Sequence, residues 1–256
     1  MKKLICIGDS HASFFSGTDK IQPIFPEKSE DLIDGMESVR LGAVLAYSLS
    51  KTGTREKGRE KMLQKLSVLS PDQHSILLCF GEIDCRTHLL RQAELKGLKL
   101  SKVIDICLDN YFSMVIEIKN KGFQLFVWNA IPTTYSNNSP EYPNFGTHKE
   151  RNECTALFNR MAENRCNEIG VVFINIFDKL VTKRNNTRGY YLFDDIHLGQ
   201  LAMPFFLKYI QSFFPDLAEN KIKKYRWLIN YISEWKKNKI RKYKFRLKKI
   251  MFKEKF

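Results

Sequence analysis

The 256-residue chain carries 42 Lys/Arg against 28 Asp/Glu, a net charge of +14, with 43% hydrophobic residues. That balance excludes a disordered chain, and the length fits one α/β domain with an appendage. The charge is local: residues 221–256 hold 15 Lys/Arg and 2 Asp/Glu, whereas residues 1–220 hold 27 and 26, which excludes a polyanion-binding body but not a basic tail.

Residues 3–7 (KLICI) form a buried-strand pattern that stops at Gly8. The run is about four apolar residues, too short for the ~7–15 of a secretory leader. It leads straight into Gly8-Asp9-Ser10-His11. A serine placed directly after a parallel strand stands at the top of the sheet beside backbone N–H donors, where a nucleophile is useful. The same residues also suit a plain turn or helix cap. Residues around 38–50 and 56–68 have helical spacing. Residues 75–80 (SILLCF) repeat the strand pattern and end at Gly81-Glu82-Ile83-Asp84.

A helix is expected over 101–121, capped by Ser101 and closed by Gly122, with Ile104, Cys107, Leu108, Tyr111, Val115 and Ile118 inward. Residues 123–131 (FQLFVWNAI) form a third strand stopped by Pro132. The polar stretch 133–146 (TTYSNNSPEYPNFG) is long enough for a lid or substrate-binding loop. Thr147 and Glu150 make a capping-box pattern ahead of a helix over 148–169, with Cys154, Leu157, Phe158 and Met161 on one face and Gly170 at its end. Residues 171–177 (VVFINIF) give a fourth strand and 199–213 a last helix of the body. The strands are apolar on both faces and alternate with helices. The expected fold is therefore α/β: a doubly wound three-layer α/β/α sandwich with a mostly parallel sheet, over residues 1–216, plus a basic C-terminal helical extension, 217–256.

Near the end of the body stands Asp194-Asp195-Ile196-His197. A serine attacking an acyl carbon needs a general base, and an imidazole needs a carboxylate to hold its tautomer. His197 supplies the base, and Asp194 or Asp195 the carboxylate. The six cysteines, Cys6, Cys79, Cys85, Cys107, Cys154 and Cys166, contain no CxxC pair and are expected reduced and buried, which points to a reducing compartment. No His/Cys/Asp cluster has metal-ligand spacing, so neither a metal nor a cofactor is expected.

Taken together, Gly8-Asp9-Ser10 and the late Asp194-x-x-His197 resemble the first and last sequence blocks of the SGNH (GDSL-like) hydrolases. Gly42 in Val39-Arg40-Leu41-Gly42 falls where the second block has an oxyanion-hole glycine. Gly81-Glu82-Ile83-Asp84, followed by Cys85-Arg86, resembles the third block, Gly-x-Asn-Asp. The resemblance spans residues 1–200 or so. It implies the SGNH/flavodoxin-like fold, Ser10 as nucleophile with Asp194 and His197, and an oxyanion and substrate site with Gly42, Asp9 and Asp84; His11, which adjoins the nucleophile, and Arg86 and Asn129, at adjacent strand ends, are candidates for that site by position. It departs at Ile83, which cannot donate the side-chain N–H of the family's third-block asparagine. Arg86 and Asn129 are the expected replacements.

The resemblance implies serine-dependent removal of a small O-acyl group, such as acetyl, from a carbohydrate. The alternatives are O-acyl transfer by the same serine, or a catalytically silent binding protein of glycan assembly. In the tail, residues 221–256, Trp227, Leu228, Tyr231, Ile232 and Trp235 share one helical face and basic residues the other, a pattern suited to an anionic membrane surface. No nucleic-acid motif is present. The chain reads as cytoplasmic, with the inner membrane face as the tail's partner.

Overall fold

The computed structural model describes residues 2–133, 142–218 and 232. Its centre is a five-stranded, all-parallel sheet of β1 (Lys3–Gly8), β2 (Met36–Arg40), β3 (His74–Cys79), β4 (Gln124–Trp128) and β5 (Val172–Ile174), in the order β2-β1-β3-β4-β5. Helices cover both faces. On one, α1 (Gly58–Leu66), α3 (Leu100–Asn120) and α4 (His148–Glu168) close over Ile5, Ile7, Ile76, Leu78 and Val127. On the other, α5 (Phe177–Leu180), α6 (Met203–Ile210) and a 3₁₀ segment, Ser10–Ser16, close over Leu4, Cys6, Leu77, Phe126 and Trp128. Successive strand residues point to opposite faces, so strands buried on both sides are apolar throughout. The expected three-layer sandwich is the fold.

Local signals set the helix ends. Thr147 accepts from the Glu150 amide, and the Glu150 carboxylate accepts from the Thr147 amide at 2.7 Å, the expected capping box. The six expected inward positions of α3 are all buried. Its start differs: the helix begins at Leu100 after an uncapped Lys99, leaving Ser101 inside the first turn. A helix over 89–96, α2, follows the third motif without having been expected.

The helix expected over 38–50 is instead strand β2 followed by a loop. Met36 and Val39 are buried on opposite sides while Glu37 and Arg40 are part-exposed. As the sheet's edge, β2 lacks the apolar run of the central strands. The third and fourth strands are also shorter than expected. Asn129 leaves the β4 ladder, and Phe177 already belongs to α5. All six cysteines are free and buried. Leu217 packs over Gly35, so the body runs at least to that residue. The tail expected to be amphipathic, apart from Ile232, and the centre of the 133–146 loop, residues 134–141, lie outside the described residues. No described helix is long and apolar enough to cross a membrane.

Gly8 stands opposite Cys79 in the pairing of β1 with β3. A Cβ there would lie 2.2 Å from the Cys79 carbonyl oxygen and 2.8 Å from its Cβ. Backbone cannot yield cheaply in a close-packed core, so Gly8→Ala is expected to cost about 3 kcal/mol, the upper end of ordinary overpacking. Urea unfolding checks this; an unchanged midpoint would show that the two strands can part.

Candidate active site

The sheet order reverses direction between β1 and β3, and the chain ends that leave these strands form the crevice expected at such a switch point. Ser10 leaves β1 as the first residue of the 3₁₀ segment. Asp9 caps that segment: its Oδ1 accepts from the His11 amide at 2.8 Å. From the far end of the chain comes a loop pinched by the Leu192–Leu198 bridge and by the Phe193 amide donating to the His197 carbonyl at 3.0 Å. Within it, Asp194 Oδ1 accepts from the amides of Ile196 (2.7 Å) and His197 (2.6 Å). That turn leaves Asp194 Oδ2 against His197 Nδ1 at 2.7 Å, and His197 Nε2 against Ser10 Oγ at 2.8 Å. Asp195 is exposed, so the carboxylate next to the imidazole is Asp194.

The electrostatics follow from burial and these bonds. Burial opposes the charge on Asp194, but the His197 ring and the two amides outweigh it and hold the carboxyl down at about 2. His197 is 4% exposed, and burial, helped by the charge of nearby His11, lowers its pKa against the pull of Asp194. A neutral imidazole with its Nδ1–H fixed by Asp194 leaves Nε2 free to take a proton from Ser10.

Gly42, the expected oxyanion glycine, follows the end of β2. It is buried at φ +111°, a conformation for glycine, and a Cβ would meet Glu56 Oε2 at 2.7 Å. The preceding Leu41 amide donates to the Gly8 carbonyl at 2.8 Å, tying this loop to the end of β1. Asp84 fastens it from the other side, accepting from the amides of Ala46 (2.8 Å) and Tyr47 (3.2 Å). Asp84 therefore positions the loop that carries Gly42, and its oxygens are not turned to a substrate.

The two expected replacements for the donor missing at Ile83 are engaged elsewhere. Asn129 is fully buried; its Oδ1 accepts from the Ile176 amide and its Nδ2 donates to the Ala130 carbonyl, both at 2.9 Å, extending the β4–β5 ladder past the strand ends. Arg86 donates through Nε to Glu82 Oε1 at 2.8 Å and through Nη1 to the Pro143 carbonyl. Glu82 Oε2 in turn meets His11 Nε2 at 3.0 Å. His11, Glu82 and Arg86 are 5%, 4% and 6% exposed, so this is a buried charge network behind Ser10. Burial opposes the charge of Glu82, and Arg86 and His11 overcome it, holding the carboxyl at about 2. Asp9, fully buried, is pushed up to about 7 by burial in spite of His11.

Glu82 was not singled out in the sequence, although its i,i+4 spacing to Arg86 on a helical turn was a usable signal. Two aromatic residues that flank His197 were also missed: Phe193, stacked at 5.7 Å, and Tyr142, edge-on at 5.9 Å. Among the described residues no group of three or more His, Cys, Asp or Glu side chains is set to hold a metal ion.

Removing one member of a buried ion pair strands the other. Glu82→Gln leaves Arg86 without its counter-charge and is expected to cost about 3–5 kcal/mol at neutral pH. The folded carboxyl titrates at about 2 against an ordinary 4.5. Its contribution is thus complete above about 4.5 and is lost as pH falls towards 2. The difference between the urea midpoints of wild type and variant should narrow over that window, and a gap that ignores pH would contradict the assignment.

No protein-family model and no curated protein matches the sequence. Solved structures do match the fold. A GDSL-like lipase from Bacteroides thetaiotaomicron is 14% identical with a TM-score of 0.54, over 84% of this chain and 88% of the other. A carbohydrate acetylesterase from Sinorhizobium meliloti is 16% identical with a TM-score of 0.50, over 85% of this chain and all of the other. The chain has the fold shared by these GDSL-like hydrolases.

Proposed function

We propose that the protein is a serine-dependent ester hydrolase that removes a small O-acyl group from an acylated carbohydrate. One observation carries the reading: the continuous hydrogen-bond chain from Asp194 through His197 to Ser10, at 2.7 and 2.8 Å, at the carboxyl ends of the parallel strands. In the first step His197 Nε2 takes the Ser10 proton as Oγ bonds to the ester carbonyl carbon. In this reading the amides of Ser10 and Gly42 hold the developing oxyanion. His197 then returns the proton to the leaving alcohol oxygen as the ester bond breaks. Water, deprotonated by the same nitrogen, bonds to the acyl carbon; the bond to Oγ then breaks, His197 returns the proton to Ser10 Oγ, and the acid leaves. The carbohydrate part of the reading is supported by the acetylesterase that shares the fold and by the Tyr142 and Phe193 rings beside His197.

Fluorophosphonate labelling and short-chain ester hydrolysis test the reading. Ser10→Ala should abolish both, and Asp194→Asn should lower kcat about 10⁴-fold by losing the correct tautomer. Labelling that survives in Ser10→Ala would overturn it. Product analysis with added sugar separates hydrolysis from acyl transfer to a hydroxyl.

With Arg86 and Asn129 engaged elsewhere, this reading gives the oxyanion backbone donors and no side-chain donor among the described residues. A side-chain donor of this kind is worth roughly 10²–10³ in kcat. Ile83→Asn should therefore raise kcat at least tenfold, and an unchanged or lower value would mean that a donor is already in place.

A further inference from the structure

Ser10 is followed by His11, whose ring lies 4.8 Å from that of His197, tilted by 39°. The mechanism above does not use it. His11 Nε2 is held by Glu82, and Glu82 by Arg86, so two residues of the third-block turn and the residue after the nucleophile form one unit. The other ring nitrogen, His11 Nδ1, is buried without a protein partner, as is Asp9 Oδ2. Both residues line a cavity of about 10 Å³, the room of a single water. Glu82 Oε2 stands 3.0 Å from His11 Nε2, and a carboxylate clamped between this ring and the Arg86 guanidinium is a fixed negative charge in direct contact with the imidazole, which favours the protonated ring.

We propose that His11 is a second, charged histidine of the site: Glu82, anchored by Arg86, keeps an imidazolium packed against His197, and this cation holds His197 in its neutral, proton-accepting form. The proposal rests on the reading of Ser10 and His197 as nucleophile and base. His11 acts through His197 and is a positioning residue. The cation disfavours a second positive ring beside it, so His197 stays unprotonated at rest. The same repulsion makes the His197 imidazolium a stronger acid towards the leaving oxygen. Asp194 opposes the effect and keeps the base usable.

Burial and Arg86 oppose the charge on His11, whereas Glu82 and Asp9 favour it; the balance lies on the charged side. On the far side His197 has Asp194, with Tyr142 at its edge. Asp84 and Arg40 act on Asp9 from the third-block turn and the end of β2.

Imidazole NMR titration of the full chain reads this directly. In wild type, His11 should titrate above an ordinary histidine and His197 below it. His11→Gln preserves a donor to Glu82 but removes the charge, and the His197 midpoint should then rise by about one pH unit, the size expected for a charge at this distance with partial screening. The acid limb of Ser10 labelling should move up by the same amount. A His11 that titrates at or below the ordinary value in wild type overturns the proposal, as does a His197 midpoint unchanged in His11→Gln. Failure of the esterase reading would show differently, as labelling that does not depend on Ser10 while both titrations remain measurable.

Discussion

The site depends on the crevice between the carboxyl ends of β1 and β3. Chain order sends β2 to one side of β1 and β3 to the other, so the loops that leave β1 and β3 diverge and open a gap at the top of the sheet. Gly8 lets the two strands close below that gap, since any side chain would strike the Cys79 backbone. The capped turn at Asp9 then starts immediately and puts Ser10 at the rim. Glu82 and Asp84 leave β3 on the facing side. One charges the floor of the gap, and the other ties down the loop carrying Gly42.

What lines the crevice is charge. Buried ionic groups persist only where partners compensate their desolvation, and they do more to specify an arrangement than to stabilise it. Glu82 meets this condition with two partners, Arg86 and His11. Asp9 meets it only in part, with one amide and one orphaned oxygen, and its pKa near 7 is the result. Asp194 sits nearer to solvent and is locked by three hydrogen bonds. The strength of that lock lets a five-residue loop present His197 to Ser10 from 187 positions away.

Much of this was legible because it is local. Apolar runs marked β1 and β3, the Thr147–Glu150 box marked α4, and Asp194 lies three residues from the histidine it orients. Elements whose character depends on distant neighbours were not legible. Edge strand β2 has no apolar run and read as a helix. Asp195 was as good a partner as Asp194 until the turn exposed it. The loss of a donor at Ile83 could be read, but the roles of Arg86 and Asn129 could not. Arg86 answers to a network closed by His11, 71 positions before Glu82, and Asn129 to an amide 47 positions after it.

Arg86 also links the floor of the site to its rim. Its carbonyl accepts from the Phe145 amide at 3.0 Å, its guanidinium reaches the Pro143 carbonyl, and Thr87 Oγ1 donates to the same carbonyl at 2.8 Å. Arg151, 3% exposed, holds the neighbouring Asn144 side chain and Gly146 carbonyl. These bonds fix the segment that sets Tyr142 against His197. One arginine therefore serves both the counter-ion of His11 and the wall beside the base. Changes on the floor should be felt at the rim, because residues that share a buried network do not act additively. On the proposed role of His11, a substrate that shifts the 142–146 segment would act through Arg86 and Glu82 on that ring, and through it on His197.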